Sequence, residues 1–177
     1  GKTSLQRIIA GLLPPQGGVI CWNRQPMDTH DLGNISFYCA SNHRLKPDLT
    51  PFANLKLFAG LYGYAEDSIR PALDDLGIGT VAHMPAARLS AGMEHRAVLA
   101  RLAIIRRANR GQRPIWLLDE PEDNLDADGI MCLNSLLDAH HADGGLSIVA
   151  SHRAALDTTI NTTLCLDAGR YGDDIAA

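Results

Sequence analysis

Apolar residues recur along the chain in two kinds of block, one spaced for helices and one continuous enough for buried strands. Leu5, Ile8, Ile9, Leu12 and Leu13 fall at helical spacing, so Lys2 to Leu12 is predicted as a helix stopped by Pro14-Pro15. Gly17-Gly18 turns the chain into a short strand, Val19 to Trp22. Ile35 to Cys39, rich in β-branched and aromatic residues, reads as another. From Thr50 to Gly79 the pattern is helical, with Leu55, Phe58, Ala59 and Tyr62 on one face and a second short helix near Ser68 to Leu76 ended by Gly77. Ala91 to Arg110 forms a longer helix carrying Val98, Leu99, Leu102 and Ile105, with Arg96, Arg101, Arg106 and Arg107 elsewhere on its surface. Ile115-Trp116-Leu117-Leu118, entered from Pro114 and left at Asp119-Glu120, suits a strand buried on both faces, and hence a parallel sheet. Ile130 to Ala142 returns to helix, Gly144-Gly145 breaks it, Leu146 to Ala150 is a further buried strand and Thr162 to Leu166 a last one. This order predicts an α/β fold with a mainly helical insertion over approximately residues 43–92.

Composition narrows the picture modestly. The 177 residues suit one domain, and 46% hydrophobic with 20% charged residues is ordinary for a globular chain. Sixteen Lys+Arg against 20 Asp+Glu give a net charge of −4, which lacks the basic footprint of a nucleic-acid binder. No uninterrupted apolar stretch approaches the roughly 18–20 residues of a membrane-spanning helix. Cys21, Cys39, Cys132 and Cys165 form no C-x-x-C pair and are expected to be buried, reduced thiols. The first residues are Gly1-Lys2-Thr3 rather than Met, which implies processing or a fragment.

Four short stretches carry chemistry. Gly1-Lys2-Thr3-Ser4 runs straight into an amphipathic helix, as at the end of a phosphate-binding loop. There the Lys reaches the β- and γ-phosphates, the hydroxyl ligates Mg²⁺ and the helix N-terminus favours the anion. Alone the tripeptide is weak. The apolar strand ending in Asp119-Glu120 corroborates it, because a buried strand holds one carboxylate toward Mg²⁺ and the next can polarise an attacking water. Leu89-Ser90-Ala91-Gly92 precedes the long helix, with Ser90 as N-cap and an unobstructed helix start. Finally, Ser151-His152 follows the strand at Leu146 to Ala150, at the edge where α/β folds bind ligands.

In this order and spacing the four stretches resemble the nucleotide-binding subunit of an ATP-binding cassette (ABC) transporter, over nearly the whole chain. Gly1-Lys2-Thr3 is similar to the end of Walker A, Leu89 to Gly92 to the signature motif and Leu117-Leu118-Asp119-Glu120-Pro121 to Walker B. Asn124-Leu125-Asp126 is similar to the D-loop, and His152 to the switch histidine. Within the superfamily the chain most resembles the ATPase of the cytochrome c biogenesis haem exporter. The local similarities are Val19 to Asn23, Leu45 to Thr50 leading into Asn54-Leu55, the variant signature followed by Arg96 to Leu102, and His140 before Gly144-Gly145.

The resemblance implies a P-loop NTPase fold of the ABC ATPase type, one nucleotide-binding domain over residues 1–177 with the helical subdomain at about 43–92. It implies an ATP hydrolase in which Gly1, Lys2, Thr3 and Ser4 hold the nucleotide's phosphates, and Thr3 and Asp119 serve Mg²⁺. Glu120 is then the general base and His152 the contact to the γ-phosphate. Ser90, Ala91 and Gly92 cap the nucleotide of a second subunit in a head-to-tail dimer, with Asp126 in the D-loop beside it. Membrane-spanning partner subunits, at the cytoplasmic face of the bacterial inner membrane, receive the motion.

Several positions depart from the family pattern. Where members carry Gln after the strand at Ile35 to Cys39, this chain offers Asn42, one methylene shorter. Met93 stands where the signature usually continues with Gln. Glu122-Asp123 replace small residues and join Asp119, Glu120, Asp126 and Asp128 in an acidic stretch, expected to be solvated surface. The upstream part of Walker A and its strand are absent, so the expectation is a cassette cut within its first catalytic element. Two alternatives stand beside the haem exporter: the ATPase of another small ABC transporter, and an ATP-binding switch with little hydrolysis.

Overall fold

The computed structural model describes residues 1–108 and 114–151. Its centre is a three-stranded parallel sheet in the order β3 (Ser36–Ala40), β4 (Ile115–Asp119), β5 (Ser147–Ala150). All four apolar residues of β4 before Asp119 are buried, as a continuous apolar run flanked by strands on both sides requires. β5 is less enclosed than its sequence suggests, with only Ala150 fully buried. The register sets Ala40 opposite Asp119 and Asp119 opposite Ala150, so all three strands leave the sheet at one level.

Helix α1 (Lys2–Ile9) packs against this sheet and stops three residues short of the predicted Leu12. Its anchor is polar. Gln6 is buried and its Nε2 donates to the carbonyls of Leu118 and Ile148, 2.9 Å from each, which pins the helix across β4 and β5. The predicted strand from Val19 shortens to β1 (Cys21–Trp22), paired antiparallel with β2 (Gln25–Pro26). The two-residue turn between them has positive φ at both Asn23 and Arg24 (51° and 64°), the twist-matched hairpin geometry. The six-residue helix α2 (Thr29–Asn34), capped by Asp28 on the Asp31 N–H at 2.8 Å, carries too little apolar periodicity to be foreseen.

Between β3 and the next long helix lie α3 (Pro51–Tyr62), α4 (Ile69–Asp75) and short 3₁₀ turns. Thr50 caps α3 through the Ala53 N–H at 3.1 Å, and Pro51 at the first helical position needs no hydrogen-bond partner. Leu55, Phe58 and Ala59 are buried as predicted, whereas Tyr62 is exposed and stacks on Tyr64. α5 is the spine of the core over its described length, Ala91–Ala108, and packs against α3, α4 and α6 (Ala127–Ala142). Its arginines are tied down rather than free on the surface. Arg106 pairs with Asp143 at 2.8 Å, Arg107 with Asp75 at 2.6 Å, and Arg101 lies over the Phe58 ring.

The turn after α6 has a steric cause. Trp116 and His140 stack with centroids 3.6 Å apart and 5° between planes, and both are fully buried. A Cβ on Gly145 would lie 2.2 Å from the His140 ring, so only glycine lets the chain pass. The cysteines divide, against expectation. Cys39 is buried, with its thiol pushed up to about 12 by desolvation, Cys132 is half-buried and Cys21 is exposed on the hairpin. Cys165, the end of α5 at Arg110 and the predicted strand Thr162 to Leu166 lie outside the described residues.

Candidate functional site

The level strand ends create the site. Ser41-Asn42, Asp119-Glu120 and Ser151 all emerge at the carboxyl edge of the sheet, the edge at which open α/β folds bind ligands. The Ser41 N–H donates to the Asp119 carbonyl at 3.0 Å, and the Glu120 N–H donates to the Ala150 carbonyl at 2.7 Å. These bonds carry the parallel ladder one residue past the strands on each side of Asp119.

α1 brings the N-terminal stretch to the same edge. Thr3 Oγ1 donates to Asp119 Oδ1 at 3.0 Å, although 116 positions separate the two residues. Tyr38 donates its hydroxyl to the other carboxylate oxygen at 3.1 Å, so Asp119 is held in one orientation by two donors. Burial raises the Tyr38 phenol above its ordinary value; the Arg7 side chain opposes that shift and the Asp119 charge adds to it. Tyr38 was not foreseen, since it sits in an apolar strand and its polar tip leaves no mark in the periodicity. Gly1 and Ser4 are exposed at the start of α1, with Lys2 half-buried between Gly1 and Thr3.

Glu120 has a φ of 52°, an uncommon conformation for a residue with a side chain, and Asn124 has a φ of 61°. Backbone strain of this kind concentrates at working sites. Between them the loop turns sharply, with the Asp123 N–H donating to the Glu120 carbonyl at 3.1 Å. Here the expectation of solvated surface is overturned: Glu122 is only 1% exposed, because its side chain turns inward to Ser151 while Asp123 stays half-buried. His95 is also buried and its Nε2 donates to the Pro121 carbonyl at 2.8 Å. Desolvation lowers the His95 pKa and its bond to Pro121 only partly opposes this, which favours the neutral ring.

The second cluster surrounds the start of α5. Ser90 caps the helix, its Oγ accepting from the Met93 N–H at 3.2 Å. Ser90, Ala91 and Met93 are exposed, while Gly92 backs onto the Asn124 carbonyl. Asp126 caps α6 through the Gly129 N–H at 2.9 Å and pairs with Arg96. The Gly129 bond, with Arg96 beside it, holds the Asp126 carboxyl below its ordinary range. The first cluster thus joins Thr3, Tyr38 and Asp119; the second joins Ser90, Gly92, Asn124 and Asp126. Asn42 is exposed just past β3, and His152 lies outside the described residues.

Residues 1–123, with both clusters' leading members, match the ABC transporter family. The chain belongs to that family. It is 40% identical over 156 residues to the cytochrome c biogenesis ATP-binding export protein CcmA of Cupriavidus necator, covering 86% of this chain and 66% of that protein. The protein of the same name from Bradyrhizobium diazoefficiens is 41% identical over 154 residues, covering 87% and 74%. The chain therefore spans about two thirds to three quarters of the length of these curated relatives. Among solved structures it is similar to cbiO1 of Clostridium perfringens, part of the ABC transporter complex cbiONQ. The TM-score is 0.62 and the identity 23%, over 85% of this chain and 62% of that one, a likeness of fold. The fold is accordingly that of a P-loop ABC ATPase.

Proposed function

We propose that this chain is the ATP-hydrolysing part of an ABC transporter subunit, and that the transporter is the haem exporter of cytochrome c biogenesis. The observation that carries the reading is the Thr3 to Asp119 hydrogen bond, which brings a phosphate-binding helix start and a buried-strand carboxylate together at one sheet edge. Two hard oxygen donors in contact suit a small divalent cation, so Thr3 and Asp119 would hold Mg²⁺. Bound there, the ion would supply positive charge against the nucleotide's phosphates.

The residues of the chain supply the rest. Lys2 at the start of α1 offsets phosphate charge, and the positive end of the helix, with Gly1 and Ser4 beside it, would favour the anion. Glu120, one residue beyond the metal carboxylate, takes a proton from the attacking water. Asn42 orients that water from the opposite strand, and His152 follows from β5. Ser90, Ala91 and Gly92 would close on the nucleotide of a second copy, with Asp126 beside them. We read approximately residues 43–92 as the helical subdomain that meets membrane-spanning subunits, within a single domain over 1–177. No helix among the described residues is long and apolar enough to cross a membrane, so such partners would hold the protein at the cytoplasmic face of the inner membrane.

The haem-exporter reading rests on the names and identity of the two export proteins above. A Glu120→Gln change in the full-length protein tests the chemistry: turnover of ATP is expected to collapse while ATP-bound dimers accumulate. Unchanged turnover would sink it. Deletion of the gene should abolish c-type cytochromes, and the Glu120→Gln gene should fail to restore them. An ATP-binding switch is the second reading, favoured by the shorter amide at Asn42.

A further inference from the structure

We propose that Glu122 is a positioning residue for hydrolysis, tying the loop that carries Glu120 to the end of β5 that leads into His152. The inference rests on the ATPase reading above.

Glu122 is 1% exposed, yet it lies in a loop between a strand and a helix, where carboxylates normally face water. One carboxylate oxygen, Oε1, accepts from the Ser151 hydroxyl, while Oε2 is buried without a hydrogen-bond partner among the described residues. A buried carboxylate satisfied on one oxygen destabilises the fold compared with an apolar residue of like shape. Packing alone gives no reason for it.

Its connections do. Two successive residues at the end of β5 are bonded to the loop: Ala150 through the Glu120 N–H at 2.7 Å, and Ser151 through Glu122. On the opposite side, His95 of α5 holds the Pro121 carbonyl at 2.8 Å, and Gly92 lies under the Asn124 carbonyl. The loop is thus fixed to α5 by the His95 side-chain bond and the close approach of Gly92, and to β5 by one backbone bond and one side-chain bond. The Glu122 bond acts at Ser151, the residue immediately before His152 in the sequence. It sets the offset between the left-handed Glu120 and that chain segment. Small displacements of groups around a reacting centre cost rate far more than affinity.

The test uses the full-length protein and measures steady-state ATP hydrolysis for Glu122→Ala, Glu122→Gln, Ser151→Ala and the Glu122→Ala/Ser151→Ala pair. Glu122→Ala is expected to lower kcat by about 10- to 100-fold with KM altered less than about twofold. Glu122→Gln, which can still accept from Ser151, should recover most of that loss. Ser151→Ala should lower kcat as well, and the double variant should be no worse than the poorer single one, as coupled partners require. Additive losses, or a wild-type kcat in a folded Glu122→Ala protein, would overturn the proposal while leaving the ATPase reading standing. If Glu122→Ala does not fold, the decision passes to Ser151→Ala: an unchanged kcat there overturns the link. Absence of turnover in the unaltered full-length protein would instead remove the ATPase reading, and the proposal with it.

Discussion

Gly92 and Asn124 meet backbone to backbone: a Cβ built on Gly92 would stand 2.8 Å from the Asn124 carbonyl oxygen. The start of α5 and the left-handed turn at Asn124 are therefore packed as one unit, with no space for even a methyl group. Gly92→Ala must push the 120–124 loop away. It is expected to lower stability by about 1–3 kcal/mol, as overpacking typically does. Urea unfolding of the two proteins checks this; equal midpoints would show that the loop yields without cost.

Thr3 and Asp119 give a prediction about metal dependence. Thr3→Val keeps the side-chain shape but removes the hydroxyl, whereas Thr3→Ser keeps the oxygen. The valine variant should need roughly 10–100-fold more Mg²⁺ for half-maximal ATP hydrolysis, and the serine variant should stay near wild type. A magnesium titration of turnover in the full-length protein separates the two. Equal magnesium requirements in all three proteins would refute a role for the hydroxyl.

Tyr38 orients the same carboxylate from the neighbouring strand. Tyr38→Phe removes one donor and leaves the ring in place, so a loss of about 0.5–1.5 kcal/mol in stability is expected. Denaturant unfolding reads the loss directly. A variant as stable as the parent would mean that Asp119 finds another donor at no cost.

His95 supplies a pH dependence with a definite sign. Its folded pKa is lowered from 6.5, chiefly by desolvation, so the unfolded chain binds the proton more readily. Stability is complete above the unfolded value and declines as pH falls below it. His43 is lowered in the same way, first by desolvation and then by Arg101 and His95. Denaturation midpoints measured between about pH 7.5 and pH 5.5 should therefore fall with acid. His95→Gln keeps a donor for the Pro121 carbonyl and should flatten part of that slope. A slope unaltered by the change would assign the dependence to other groups.

The sequence revealed the catalytic edge better than its supports. Ile115 to Leu118 could be read as a doubly buried strand because four large apolar residues in succession have no other comfortable place. Asp119 and Glu120 followed from where that run stops. The helix start announced by Ser90 was legible for the same local reason, a side-chain oxygen within reach of its own turn. Glu122 was not. Among five neighbouring acids it reads as solvated surface, and only the approach of Ser151 and α5 from distant parts of the chain encloses it. Tyr38 and Gln6 escaped notice likewise, since each acts through one polar tip on partners more than 80 positions away. The hairpin at Asn23-Arg24 was not foreseen, because Arg at the second positive-φ position conceals the turn that Asn alone would favour.

The stack of Trp116 on His140 has an optical consequence. Trp116 is fully shielded from water and shares its strand with Asp119, whereas the other tryptophan, Trp22, is half-buried in the β1–β2 hairpin. The two indoles therefore sit in different surroundings, and Trp116 emission should be blue-shifted relative to that of Trp22. With Trp22→Phe, native fluorescence becomes a single-site gauge of the strand that presents Asp119, and ligand binding at the sheet edge could be followed without any added dye.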